Sequence, residues 1–190
     1  MLPTSLLPLP PKIPGLSISV GSFLPRILMP SAEGVELSPI DMVEPGALGV
    51  CIYNPAPVNP MPLPPSGMDY VSRLAMLDAR KVDFYIISGL SVPKLERWRD
   101  LAGLDDRPFL SDETGAFAAE VGVPIKRLEG QNFRTHAAFI LHEDRVLAIL
   151  LETDLAHNFE GLLAALDVAD NREPGEYDLP DKPNYIEQPR

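Results

Sequence analysis

The side chains that most often carry chemistry are scarce in this chain of 190 residues. It holds one cysteine, Cys51, so no disulfide can form within the chain and a zinc site with several thiolate ligands is excluded. His136 and His142 are separated by about 20 Å if they lie on one continuous strand. His157 has no second ligand at helical spacing. We therefore expect neither a metal site nor another cofactor.

Three polar side chains at or just beyond the carboxyl end of a predicted strand are candidates for binding a small molecule: Tyr53, Asn54 and Asn59. The carboxyl ends of strands are where α/β sheets bind ligands, although an asparagine before a proline also begins turns. Arg134 is suited either to an anionic ligand or to a structural carboxylate. The chain has no glycine-rich phosphate-binding motif and no nucleophile-elbow serine motif.

The charge balance restricts the partners. Lysine and arginine total 16 against 27 aspartates and glutamates, a net charge of -11, which argues against binding nucleic acid or an anionic membrane surface. No apolar stretch is long enough for a transmembrane helix. The first residues lack the basic segment of a secretory signal. These patterns predict a cytoplasmic protein.

Proline is enriched, with 22 residues, and it marks the two ends of the chain. Residues 1–19 are apolar and proline-rich, and we interpret them as an extended arm. Residues 170–190 are acidic and proline-rich, and we interpret them as a tail. Between them, residues 20–169 are long enough for one domain with its own core.

Strand and helix patterns alternate along this domain. Apolar runs predict buried strands at 47–53 and 82–88, a short strand at 108–110, and a closing hairpin from 136–141 and 145–151. Helices are predicted after Ser66, Ser91, Ser111-Asp112 and Asp154. Strand–helix–strand connections imply parallel pairing, and the hairpin adds antiparallel strands. The predicted fold class is therefore α/β and thioredoxin-like, with a central mixed sheet and helices on both faces.

Three stretches of the domain are similar to one known family. They are Val20-Gly21-Ser22-Phe23-Leu24-Pro25 followed by Gly34-Val35-Glu36-Leu37, the segment Phe109-Leu110-Ser111-Asp112-Glu113-Thr114-Gly115, and residues 133–141. In this order they resemble the peroxiredoxins of the alkyl hydroperoxide reductase/thiol-specific antioxidant type, in particular an atypical subgroup. The resemblance covers about residues 20–166 and implies a thioredoxin-like redoxin domain.

The resemblance also implies where the family's chemistry would lie. Pro55 matches the family's proline, Asn59 falls on its threonine, and Pro62 falls on its peroxidatic cysteine. Arg134 matches the arginine that accompanies that cysteine. Cys51 lies within an apolar strand, where a buried thiol has a raised pKa and is usually inert.

Three hypotheses follow. The first is a peroxiredoxin-like protein without the peroxidatic cysteine, which is not a thiol peroxidase and whose former active-site pocket binds a small molecule or performs a non-thiol reaction. The second is a thiol-dependent oxidoreductase that uses Cys51. The third is a non-catalytic interaction module that uses the arm and the tail. In each case we expect a homodimer, because the arm is apolar and because the resemblance implies a family whose members commonly dimerise.

Overall fold

The computed structural model describes residues 15–54, 73, 77, 80, 82–104, 106–128, 130–152 and 155–170. The proline-rich residues 55–65 and most of the helix predicted after Ser66 lie outside these residues. The same holds for the tail and for most of the arm.

A central sheet of five strands organises the described part of the chain. Its members are β3 (Leu48–Asn54), β4 (Asp83–Ser88), β5 (Phe109–Ser111), β8 (His136–His142) and β9 (Arg145–Glu152), in the spatial order β5-β4-β3-β8-β9. The pairs β3·β4 and β4·β5 are parallel, whereas β3·β8 and β8·β9 are antiparallel. This mixed sheet confirms the predicted fold class.

Helices cover both faces of the sheet. Helix α1 (Val92–Ala102) and helix α3 (Leu155–Asp170) pack on one face, and the short helix α2 (Ala116–Val121) packs on the other. Helix α1 begins after Ser91 and ends at Gly103, whose φ of 65° suits a glycine. None of the described helices combines the length and the hydrophobicity needed to cross a membrane.

Side chains of the central strand alternate between the two halves of the core, as the pleat requires. Val50 and Ile52 point toward α1 and α3, where Trp98 lies edge-on to the Phe109 ring at 5.3 Å. Cys51 and Tyr53 point toward α2. Strand β3 is thus buried on both faces, which explains its uninterrupted apolar sequence.

One predicted core position of α1 is wrong. The helical spacing places Leu101 on the apolar face, but 66% of Leu101 is exposed. The buried face runs instead through Leu95 and Trp98. The neighbouring Arg99 forms an ion pair with Glu33.

Two small hairpins flank the sheet. Strands β1 (Met29–Pro30) and β2 (Glu36–Leu37) form an antiparallel hairpin, which reaches the sheet through a bridge between Ser31 and Leu110. Strands β6 (Ile125–Leu128) and β7 (Gln131–Arg134) form a second antiparallel hairpin that the sequence analysis did not predict. This second hairpin leads directly into β8 and places Arg134 beside α2.

The end of the predicted arm packs on the domain. Leu16 is buried in the same half of the core as α2. The Ser17 amide donates to the carbonyl oxygen of Val121 at 2.9 Å. This close approach needs a glycine at position 122, where a Cβ would lie 2.5 Å from the Ser17 nitrogen.

Candidate functional site

Cys51 lies in the middle of β3 and is completely buried, as its place in an apolar strand predicts. Its neighbour in register on β4 is Tyr85, which is also completely buried. Burial raises the pKa of the Cys51 thiol well above its usual range, and the nearby Tyr85 hydroxyl offsets only part of that shift. Because the thiolate is the nucleophile, this environment suppresses thiol chemistry.

The carboxyl ends of the three parallel strands carry polar side chains in register. Asn54 is paired with Ser88, and Ser88 with Ser111. All three are buried, and the Ser111 hydroxyl donates to the Leu90 carbonyl at 2.6 Å. Asn54 is the last residue of β3 and is not on the following loop, where the sequence analysis placed it. By strand alternation this row faces the α1 and α3 side of the sheet.

Asp112 follows β5 and fixes the start of α2. Its carboxylate accepts hydrogen bonds from the backbone amides of Phe117 at 2.9 Å and Ala118 at 3.0 Å. Only 2% of the residue is exposed. Burial raises the pKa of the Asp112 carboxyl, while the amides of Ala118 and Phe117 and the charge of Arg134 act in the opposite direction. The predicted capping role of Asp112 is confirmed, and both carboxylate oxygens are committed to it.

Arg134 ends β7 and reaches back to α2. Its Nη1 donates to the carbonyl oxygens of Val123 at 2.9 Å and Ala118 at 3.3 Å. A Cβ added to Gly115 would lie 4.0 Å from its Nη2. Within the described ranges, no carboxylate forms an ion pair with the guanidinium. One edge of the guanidinium is therefore fixed by backbone carbonyls, and no carboxylate of the described residues neutralises its charge by direct contact.

The charges of Asp112 and Arg134 both act on Tyr53. Its ring stacks on Phe117 with the centroids 6.4 Å apart and the planes 18° from parallel. Burial and the Asp112 carboxylate raise the pKa of Tyr53 to about 12, whereas Arg134 lowers it. The phenol is therefore neutral at physiological pH and is a hydrogen-bond donor.

The site thus combines one cation, one neutral donor and one carboxylate. Among the described residues, none is a hydrogen-bond partner of the Tyr53 hydroxyl or of Nη2 of Arg134, whereas Asp112 accepts the amides of α2. A site with more hydrogen-bond donors than acceptors is suited to bind a polar or anionic molecule. It is poorly suited to proton abstraction, because its carboxylate is used for capping.

The sequence-predicted residues are distributed as follows. Tyr53 and Arg134 both contact α2, whereas Asn54 belongs to the polar row on the opposite side of the sheet. Asn59 and Pro62 lie outside the described residues. Asp112 was predicted only as a helix cap, and no sequence signal marks its proximity to Tyr53. That proximity comes from two strands ending at the same edge of the sheet.

Two of the three histidines lie on β8, and the side chain of His157 is outside the described side chains. His136 and His142 occupy opposite ends of β8, as predicted. Burial lowers the pKa of His136 to about 3, so this side chain is neutral. Across the described part of the chain, no three His, Cys, Asp or Glu side chains come together in a way that could hold a metal ion.

Solved structures of several peroxiredoxins are similar to this fold. The bacterioferritin comigratory protein of Xanthomonas campestris is 20% identical, with a TM-score of 0.61 over 75% of this chain and 91% of its own. A cysteine-to-serine variant of PrxQ from Xylella fastidiosa is 14% identical, with a TM-score of 0.65 over 83% and 100%. Peroxidoxin BcpB from Mycobacterium tuberculosis is 20% identical, with a TM-score of 0.60 over 81% and 98%.

These similarities define the class by its fold: the chain has a peroxiredoxin-like, thioredoxin-type α/β domain. No protein-family model matches the sequence, and no curated protein is significantly similar to it. The structural similarity thus agrees with the resemblance to peroxiredoxins that the sequence motifs indicate.

Proposed function

We propose that this protein is a peroxiredoxin-like binding protein that has no thiol peroxidase activity. In this proposal Pro62 occupies the position that peroxiredoxins give to the peroxidatic cysteine. The site at the carboxyl end of the sheet, built around Arg134 and Tyr53, binds a small molecule in place of a peroxide.

The observation that carries this proposal is the location of the only cysteine. A peroxidatic thiol must meet peroxide and must ionise at neutral pH. Cys51 is fully buried in the central strand of the sheet, and its pKa is raised by that burial. Its side chain belongs to an apolar cluster with Phe139 and Ile87, so neither a cation nor solvent stabilises a thiolate there.

The fixed geometry of the site supports the second half of the proposal. Arg134 is held by two backbone carbonyls, and Asp112 is held by two backbone amides. Side chains fixed in this way lose little conformational entropy when a ligand binds. A preorganised polar site beside a buried sheet end is the usual setting for small-molecule recognition in α/β folds.

The proposal is tested by measuring hydrogen peroxide consumption with dithiothreitol, thioredoxin or glutathione as reductant. We expect no turnover above the rate without protein, and the variant C51A to behave like the wild type. Turnover that disappears in C51A would establish the thiol-dependent alternative. Turnover that survives in C51A would establish a peroxidase without a thiol, and either result would overturn the proposal.

A further inference from the structure

We propose that residues 15–17, at the end of the arm, form a strap that regulates the binding site through Arg134. This inference rests on the proposed function only in taking Arg134 as a residue that binds the ligand. The strap lies on the turn of residues 121–124, which joins α2 to β6 and holds the guanidinium. While the strap is attached, the turn is fixed and the site is preorganised for its ligand. When the strap detaches, the turn loosens and the ligand binds more weakly.

The first argument is that the strap and Arg134 bind the same turn. The Ser17 amide donates to the carbonyl oxygen of Val121 at 2.9 Å. Nη1 of Arg134 donates to the carbonyl oxygen of Val123, two residues further on, at 2.9 Å. Between these two contacts the strap approaches so closely that a Cβ on Gly122 would lie 2.5 Å from the Ser17 nitrogen. Movement of the turn under the strap therefore changes the position of an acceptor that fixes the guanidinium.

The second argument is that Leu16 packs the strap into the core beside this turn. Only 3% of Leu16 is exposed, and its side chain belongs to the same apolar cluster as Val121 and Val123. The Ala118 carbonyl oxygen accepts from the Val123 amide at 2.8 Å and from Nη1 of Arg134 at 3.3 Å. Burial of Leu16 thus stabilises the conformation of the turn in which both carbonyls accept from the guanidinium.

The third argument is that the strap can detach without unfolding the sheet. The chain that follows it is anchored separately, because the Gly21 amide donates to the Val146 carbonyl oxygen at 2.8 Å and the Val146 amide donates to that of Ser22 at 2.9 Å. Gly21 has a φ of 90°, so this anchor begins at a residue with more conformational freedom than others. Detachment of residues 15–17 breaks the Ser17 hydrogen bond and exposes Leu16, whereas the five-stranded sheet stays intact.

Amide hydrogen exchange in the full chain measures this detachment directly. The Ser17 amide reports the strap, and the amides of Val123 and Thr135 report the turn, because Thr135 donates to the Pro124 carbonyl oxygen at 2.8 Å. The amide of Ile52, in the middle of β3, reports unfolding of the sheet. After correction for intrinsic exchange rates, we expect the strap and turn amides to share one opening equilibrium and to exchange faster than Ile52.

Two buried leucines on opposite faces of the sheet separate the local opening from unfolding. L16A should speed exchange of the strap and turn amides together by at least about thirtyfold, the low end for truncating a buried leucine. L95A removes a side chain that is also buried, on α1, and should speed exchange of Ile52 while leaving the strap and turn amides at the wild-type rate. Where either variant fails to fold, L16V and L95V make the same comparison with smaller factors.

The position of Arg134 is measured by its reaction with phenylglyoxal, followed by mass spectrometry of the modified peptides. L16A should raise the rate of Arg134 modification severalfold, whereas the exposed Arg26 in the same sample should react as it does in the wild type. G122A should act like L16A, because its Cβ would collide with the strap. G34A is the matched control, since Gly34 has nearly the same φ, 76° against 77°, but no atom lies within 4 Å of an added Cβ.

Three results would each overturn the proposal. They are faster exchange of Ser17 in L16A without faster exchange of Val123 and Thr135, strap and turn amides that follow Ile52 in L95A, and an unchanged rate of Arg134 modification in both L16A and G122A. Failure of the proposed function is recognised separately, because it appears as peroxide turnover by the wild type, which neither hydrogen exchange nor phenylglyoxal modification measures.

Discussion

Iodoacetamide should alkylate Cys51 in the folded protein several thousandfold more slowly than in the unfolded chain. The thiol is fully buried in β3, which pairs with β4 on one side and β8 on the other. Reaction therefore requires separation of the central strands, which costs nearly the whole free energy of unfolding. Even at the low end of typical stabilities, about 5 kcal/mol, the open fraction is roughly 2 × 10⁻⁴.

The assay follows the mass of the intact protein over time with iodoacetamide at pH 7.5, with and without guanidinium chloride. The matched control is the double variant C51A/V168C, which carries its only thiol on α3 at a position that is 61% exposed. This control should react at nearly the same rate whether folded or unfolded. A rate for folded wild-type protein within tenfold of the denatured rate would refute the argument that Cys51 is a core residue.

Three further predictions concern the residues that shape the site and the sheet. In D112A the amides of Phe117 and Ala118 lose their acceptor, so denaturant titration should show a loss of about 1–3 kcal/mol. D106A, at an exposed aspartate, should cost less than about 0.5 kcal/mol, and equal losses would contradict the capping role. In G49A the new Cβ would lie 2.2 Å from Val43, so a melting experiment should show destabilisation that V43A partly relieves; no relief would contradict the clash. The third prediction concerns pH. Burial lowers the pKa of His136 from its ordinary 6.5 to about 3, so the unfolded chain binds the proton more readily between these values. Stability should therefore fall on acidification from pH 6.5 toward 3, by about 1.4 kcal/mol per pH unit. The raised pKa of Asp112 changes the stability in the opposite direction, so the wild type is compared with a variant. H136Q should lose the His136 contribution to the pH dependence of stability, and the control H142Q should retain it. Equal slopes in wild type and H136Q would contradict the assignment.

Much of the fold could be predicted because its strongest signals are local. The runs 47–53 and 82–88 consist mostly of apolar residues, as a strand covered on both faces requires. The structure places β3 and β4 there. The cap at Asp112 and the glycines after α1 and α2 likewise mark helix ends directly in the sequence.

The β6–β7 hairpin could not be predicted, because it has no such strong local signal. Its first strand, Ile-Lys-Arg-Leu, has two charged residues and leaves Ile125 57% exposed, so it lacks the apolar pattern of a buried strand. The one turn signal, Gly130 with φ of 81°, is too common to identify a hairpin alone. The hairpin nevertheless directs Arg134 toward α2.

The candidate site was predictable in part. A strand end predicts Tyr53 and a family motif predicts Arg134, and in the structure both side chains contact α2. The end of the same strand also predicts Asn54 as a site residue, but the pleat of β3 directs its side chain to the other face of the sheet. Asp112 joins the site through tertiary packing of α2, which no local pattern encodes.

Trapping the product of peroxide attack on the thiol tests the central claim most directly. A peroxidatic thiolate reduces hydrogen peroxide to water and becomes a sulfenic acid, which dimedone captures as a stable adduct. After one equivalent of peroxide, we predict no dimedone adduct on Cys51 in the folded protein, so that its mass change matches that of C51A. An adduct on most of the wild-type protein within minutes would contradict the account.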